Sequence, residues 1–152
     1  MRPRRNVLLV ALLALGLLVV GTSAAWTMAR AGQPQASARV SPTQENIEAG
    51  RQLYDKWCAG CHGFEGRGDG PAADYLNPRP RGFTGGLYKL HSARTGKLPT
   101  DEDLSKVISK GMPGTSMPGW GFLSETERRQ LVQYIKTFSR RFAQEAPPEP
   151  IT

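Results

Sequence analysis

Lys56–Gly63, KWCAGCHG, carries both cysteines of the 152-residue chain and one of its two histidines. Residues three apart on a helix are neighbours on one face, so Cys58 and Cys61 present two thiols one turn apart with His62 directly behind. Upstream, Ile47, Gly50, Leu53, Tyr54 and Trp57 recur at helical spacing. That helix is predicted to begin near Ser41-Pro42-Thr43-Gln44, a cap serine with proline at the first helical position and glutamine three residues on.

Cys58-Ala59-Gly60-Cys61-His62 is a C-x-x-C-H sequence, the attachment pattern of haem c. Two thiols at this spacing reach the two vinyl groups of a haem as thioethers, and the adjacent histidine is then carried under the iron as a proximal ligand. Other uses of two cysteines fit less well. A thioredoxin-like redox pair expects a βαβ setting that the chain lacks. Zinc needs further ligands, and only His91 remains. A disulfide across two residues would staple almost nothing.

For the sixth iron position the candidates are Met117, Met112 and His91. Met117 lies in the turn-rich Pro113-Gly114-Thr115-Ser116-Met117-Pro118 and can approach from the face opposite His62. Met112 follows the helix-stopping Gly111 closely and reads as an apolar cap.

Outside the motif, two further helical patterns are evident. One starts at Thr100-Asp101-Glu102-Asp103, carries Leu104, Val107 and Ile108, and stops at Gly111. The other starts at Ser124-Glu125-Thr126-Glu127 and presents Leu131, Tyr134, Ile135, Phe138 and Phe142. No stretch alternates as a strand does, so the fold class is all-α. Residues 63–99 are punctuated by glycine and proline (GFEGRGDGP, NPRPRGF, TGG). A loop this long inside a compact domain needs something to fill the middle, and a large apolar cofactor would do so.

The ends read differently. Arg2, Arg4 and Arg5 precede an uncharged stretch from Asn6 to Ala29, the pattern of an export signal. Residues 1–29 are either a cleaved signal peptide, with Ser23-Ala24-Ala25 or Ala29-Arg30-Ala31 as the small-residue site, or a membrane anchor. The 24 uncharged residues suffice for a bilayer core of about 30 Å, and Trp26 stands where an interfacial anchor would. Both readings put the rest of the chain on the extracytoplasmic (periplasmic) side. Residues 30–42 have linker composition, 43–145 form the domain, and 146–152 read as a disordered tail. The formal charge of +7 includes Arg2, Arg4, Arg5, Arg30 and Arg39, leaving +2 for the remainder. With no arginine-rich helix or interleaved aromatic stripe, a nucleic-acid partner is excluded.

Taken together, these residues resemble a class I c-type cytochrome of the bacterial membrane-associated respiratory type, over roughly residues 43–143. Gly50, Tyr54 and Cys58 match the family's first helix, and Leu131 and Tyr134 its last. The resemblance implies three main helices and a long irregular loop around one covalently bound haem, with the glycine admitting the other helix's aromatic where the two helices cross. It implies that the Pro71 carbonyl of Gly70-Pro71 accepts the His62 Nδ1 proton. It also implies that Met117 is the family's methionine ligand, with Thr115 on a haem propionate. The middle segment departs from small mitochondrial-type members, being longer and richer in arginine. Arg81, with Arg79, Tyr88, Lys89 and Arg94, is a candidate to neutralise the propionates, and Trp120 to pack beside the haem; Trp57 reads as core.

The function so implied is one-electron transfer between a redox protein donor and acceptor, expected to include a membrane respiratory complex, by an electron carrier rather than an enzyme. The alternatives are a haem subunit of a larger respiratory dehydrogenase or oxidase, or a peroxidase or gas sensor with a displaceable methionine.

Overall fold

The computed structural model describes residues 41–149 and residue 151. The signal or anchor reading of residues 1–29, and the linker up to residue 40, lie outside the described residues. Among the described residues no helix is long and apolar enough to cross a membrane, and no strand occurs. The elements are α1 (Gln44–Trp57), α2 (Ala59–His62), one 3₁₀ turn (Ala73–Tyr75), α3 (Asp101–Lys110), α4 (Glu125–Thr137) and α5 (Arg141–Gln144).

The helix starts follow from side-chain caps. Thr100 and Asp103 form a reciprocal capping box on α3, and Ser124 and Glu127 form another on α4. Each satisfies backbone donors that a helix cannot bond internally. On α1 the cap is Thr43, whose Oγ1 accepts from the Asn46 amide at 3.3 Å. The expected cap at Ser41 is therefore two residues early. Ser41 stands too far from the first turn for its hydroxyl to cap it, and its carbonyl instead accepts from the Thr43 amide and the Asn46 side chain.

α1 and α4 form the largest contact between elements, and α3 packs on α4. The core is Tyr54, Ala59, Leu104, Ile108, Leu123, Leu131, Val132 and Ile135. Tyr54 and Leu131 are wholly buried, each burial being worth about 1.5–3 kcal/mol for a side chain of this size. The apolar stripe predicted for the last helix continues past its end. α4 stops at Thr137, Phe138 is its C-cap, and Phe142 lies on the separate short α5.

The irregular segment between α2 and α3 is tied down at identifiable points. Arg141 of α5 donates to the carbonyls of Gly86 (2.7 Å) and Gly96 (2.9 Å). Asp103 of α3 accepts from the Ser92 amide and hydroxyl, both at 3.0 Å. Phe83 and Tyr88 pack from this segment against the core. Of the tail, Ile151 donates its amide to the Ser92 carbonyl at 2.9 Å.

Candidate haem site

Cys58 ends α1 and caps α2 at once. Its amide donates to the Tyr54 carbonyl (2.8 Å), and its own carbonyl accepts from Cys61 (3.1 Å) and His62 (2.9 Å). This single turn places both thiols and the imidazole on a rigid support. No disulfide joins the two cysteines. Burial pushes the Cys58 thiol up to about 12, with a smaller contribution from Cys61. A reactive redox cysteine needs the opposite shift, towards thiolate, which Cys58 does not show.

The main chain of this turn is closed from below by Gly70. A Cβ on Gly70 would stand 2.5 Å from the carbonyl oxygens of Ala59 and Gly60. Its amide bonds the Cys61 carbonyl at 3.2 Å, and Ala72 bonds that of Gly60 at 2.9 Å. The glycine of Gly70-Pro71 thus matters for close approach, but the proline does not do what the resemblance implied for it. His62 Nδ1 lies 2.9 Å from the carbonyl of Arg81, not Pro71, and Pro71 is exposed. The reason is chain path: Gly70 and Ala72 lie against the back of α2, while the 80–83 segment returns alongside the imidazole.

A carbonyl only accepts, so Nδ1 carries the proton and Nε2 keeps its lone pair. Burial lowers the His62 pKa, with the Arg81 hydrogen bond opposing it, which favours the neutral imidazole. A neutral ring with a fixed Nδ1 proton is the form that ligates a metal. Phe83 stacks on the same ring, with centroids 4.6 Å apart and planes at 22°.

The methionine loop is built onto the end of α3. Gly111, at φ +70, ends the helix, and Trp120 returns to bond the Ile108 carbonyl at 2.9 Å. Within the loop Met112 donates to the Met117 carbonyl at 3.1 Å. The Thr115 hydroxyl donates to the Met112 carbonyl (2.8 Å) and accepts from the Met117 amide (3.2 Å). Its one proton goes to the Met112 carbonyl within the loop. Met112 and Met117 are both half-buried. His91 donates Nδ1 to the Ala93 carbonyl at 2.9 Å, within its own loop. Trp120 packs on Trp57 (centroids 5.3 Å) and Phe122 (5.7 Å), joining Trp57 in an aromatic group at the end of α1.

The residues fit haem on evidence of their own. The Tyr88 hydroxyl is buried with no hydrogen-bond partner among the described residues, which a native structure rarely tolerates. Burial pushes its pKa up to about 12, with the Arg81 charge opposing the shift, and the Arg81 guanidinium donates to the carbonyl of the neighbouring Leu87 at 3.0 Å. A buried phenol beside an arginine is a receptor for a carboxylate. The Leu87 bond keeps the Arg81 side chain over this segment. Of the other candidates, Arg79 is paired with Asp74 at 2.7 Å, and Lys89 and Arg94 are exposed. The Arg81 carbonyl and the Phe83 ring are the parts that sequence reasoning missed. A main-chain acceptor leaves no side-chain signature, and one aromatic in a loop carries no periodicity.

Residues 47–139 match the cytochrome c family. The chain is 35% identical over 86 residues to cytochrome c55X of Paracoccus denitrificans, covering 56% of this chain and 67% of that protein. It is 29% identical over 104 residues to cytochrome c of Tetrahymena pyriformis, covering 64% of this chain and 94% of the relative. Among solved structures it is similar to a chain of the Kuenenia stuttgartiensis reducing HAO-like protein complex Kustc0457/Kustc0458, with 42% identity and a TM-score of 0.67. That match covers 69% of this chain and 48% of the other, so this chain spans about half the length of that relative.

Proposed function

Since the chain belongs to the cytochrome c family, which carries covalent haem c and transfers electrons, we propose that it works as a monohaem carrier with His62 and Met117 as axial ligands, on the extracytoplasmic side of the membrane. Haem c supplies the one-electron couple, and the protein supplies attachment, orientation and electrostatics. Cys58 and Cys61 attach the group through thioethers. His62 offers Nε2 to the iron while the Arg81 carbonyl fixes its proton on Nδ1. Met117 is favoured over Met112 because it stands in the turn-rich 113–118 loop, clear of the helix end, whereas Met112 directly follows the helix-stopping Gly111. Axial methionine tends to raise the potential. Filling both axial positions leaves no open site for substrate.

The observation that carries the reading is the His62–Arg81 bond, since it leaves Nε2 of the motif histidine available as a ligand. The direct experiment is a spectroelectrochemical titration of haem-loaded protein, with carbon monoxide added to the reduced form. A single reversible one-electron wave and no rapid carbon monoxide binding are expected. Rapid binding would instead favour a gas sensor or peroxidase.

The extracytoplasmic location rests on the basic start and uncharged stretch of residues 1–29, which either anchors the domain or is removed. A second reading makes the domain a permanent subunit of a larger redox assembly. It is favoured by the 42% identity to a chain of a reducing HAO-like complex. Purification of the full chain from its native membrane distinguishes the two, because a subunit co-purifies with partner chains and a shuttle does not.

A further inference from the structure

We propose that Phe83 is a positioning residue for the axial histidine, setting the rotation of the His62 imidazole plane about its Cβ–Cγ bond. This rests on His62 being the iron ligand. A side chain joined to the backbone through one methylene keeps two soft torsions. The Arg81 carbonyl constrains one direction, at Nδ1, and a single acceptor of broad angular tolerance leaves the ring free to rock. Phe83 removes that freedom by laying a flat wall against the imidazole, centroids 4.6 Å apart and planes at 22°.

The wall itself is fixed on both sides. In front, the Phe83 amide bonds the Gly66 carbonyl at 2.6 Å. The preceding Gly82 lies so close to the 66–68 turn that a Cβ there would stand 2.6 Å from the Arg67 carbonyl. Behind, the Phe83 ring stacks on Phe138 at 6.1 Å and 19°, and on Tyr88 at 6.3 Å and 10°. Arg81 and Phe83 thus reach the same imidazole from one short main-chain segment, one at its edge and one on its face. The orientations of the two iron ligands relative to the haem together govern how unpaired spin spreads over the four haem methyl groups in the oxidised protein, so rotating the His62 ring with the methionine unchanged alters that spread. A residue that sets ring rotation should therefore be visible there, independently of stability.

The test uses haem-loaded full-length protein and compares Phe83→Leu, Phe83→Tyr and Val132→Ala by the paramagnetic shifts of the haem methyl protons. Phe83→Leu is expected to change the spread or order of the four methyl resonances, and Phe83→Tyr, which keeps the ring face, to restore the wild-type pattern. Val132→Ala empties a buried site in the core and is expected to lower the melting temperature with the pattern unchanged. An unchanged pattern in Phe83→Leu, with only a lower melting temperature, overturns the proposal. If Phe83→Leu yields no loaded protein, the reduced wild type decides. Nuclear Overhauser contacts between the Phe83 and His62 rings are expected, and their absence overturns the proposal. Failure of His62 ligation would look different, as loss of the hyperfine-shifted imidazole resonances in the wild type itself.

Discussion

Gly50 of α1 lies directly against the main chain of α4 at Gln130: a Cβ placed on Gly50 would stand 2.1 Å from the Gln130 carbonyl oxygen and 3.0 Å from the Tyr134 Cβ. Neither neighbour is the free end of a flexible side chain. Gly50→Ala must therefore push the two helices apart, and overpacking of this kind costs about 1–3 kcal/mol. Chemical denaturation of the haem-loaded variant is expected to show that loss. Stability within a few tenths of a kcal/mol of wild type, the ordinary range of a surface change, would mean the crossing can relax.

The Tyr88 hydroxyl is buried with no partner among the described residues. If it donates to a haem carboxylate in the loaded protein, Tyr88→Phe removes a charge-assisted hydrogen bond and lowers stability by about 1.5–3 kcal/mol. If instead it stays orphaned when haem is attached, the same substitution is neutral or stabilising. Thermal melts of the two loaded proteins give the answer directly.

Asp103 gives the fold an acid-sensitive joint. Burial raises its pKa, but hydrogen bonds from Ser92 and Thr100 outweigh this and hold the carboxyl below its ordinary value. A carboxyl depressed on folding contributes stability above its unfolded pKa, about 3.9, and loses it as pH falls through the lower folded value. The melting temperature is expected to fall below about pH 4, where the unfolded carboxyl takes up its proton, and Asp103→Asn should flatten this limb. An unchanged limb in the variant would assign the acid sensitivity to other carboxylates.

Arg141 ties the irregular segment to the C-terminal helix through Gly86 and Gly96, while Glu145 holds the guanidinium on its other side. Arg141→Ala is expected to speed hydrogen exchange at the Gly86 and Lys97 amides, which bond within this segment, and to leave α1 and α4 protected. Such local opening is how a low-stability unit announces itself. Uniform acceleration across the whole domain would show that Arg141 supports global stability instead.

Legibility in the sequence tracks local encoding. The C-x-x-C-H turn, the capping boxes at Thr100–Asp103 and Ser124–Glu127, and the stop at Gly111 each depend on residues within five positions of one another. The helix crossing at Gly50 was available through family resemblance, because a tight crossing demands a specific residue type. The carbonyl partner of His62 was not legible. It comes from Arg81, nineteen residues on, and any residue offers a carbonyl, so nothing in the text separates Arg81 from Pro71. The Thr115 contact was not legible for a related reason: a hydroxyl serves whichever acceptor is nearest, and here that is the Met112 carbonyl. Phe83 and Arg141 sit in glycine- and arginine-rich text that reads as loop or helix end, and only the chain path shows one against the imidazole and the other across the loop.

The axial pair is the central claim, and optical spectra test it most directly. Haem-loaded wild type, Met117→Ala and Met112→Ala are compared in the oxidised state for the weak sulfur-to-iron charge-transfer band. The band is expected in wild type and in Met112→Ala and is expected to vanish in Met117→Ala. A band that survives Met117→Ala, or that is missing from the wild type, would contradict His62/Met117 ligation.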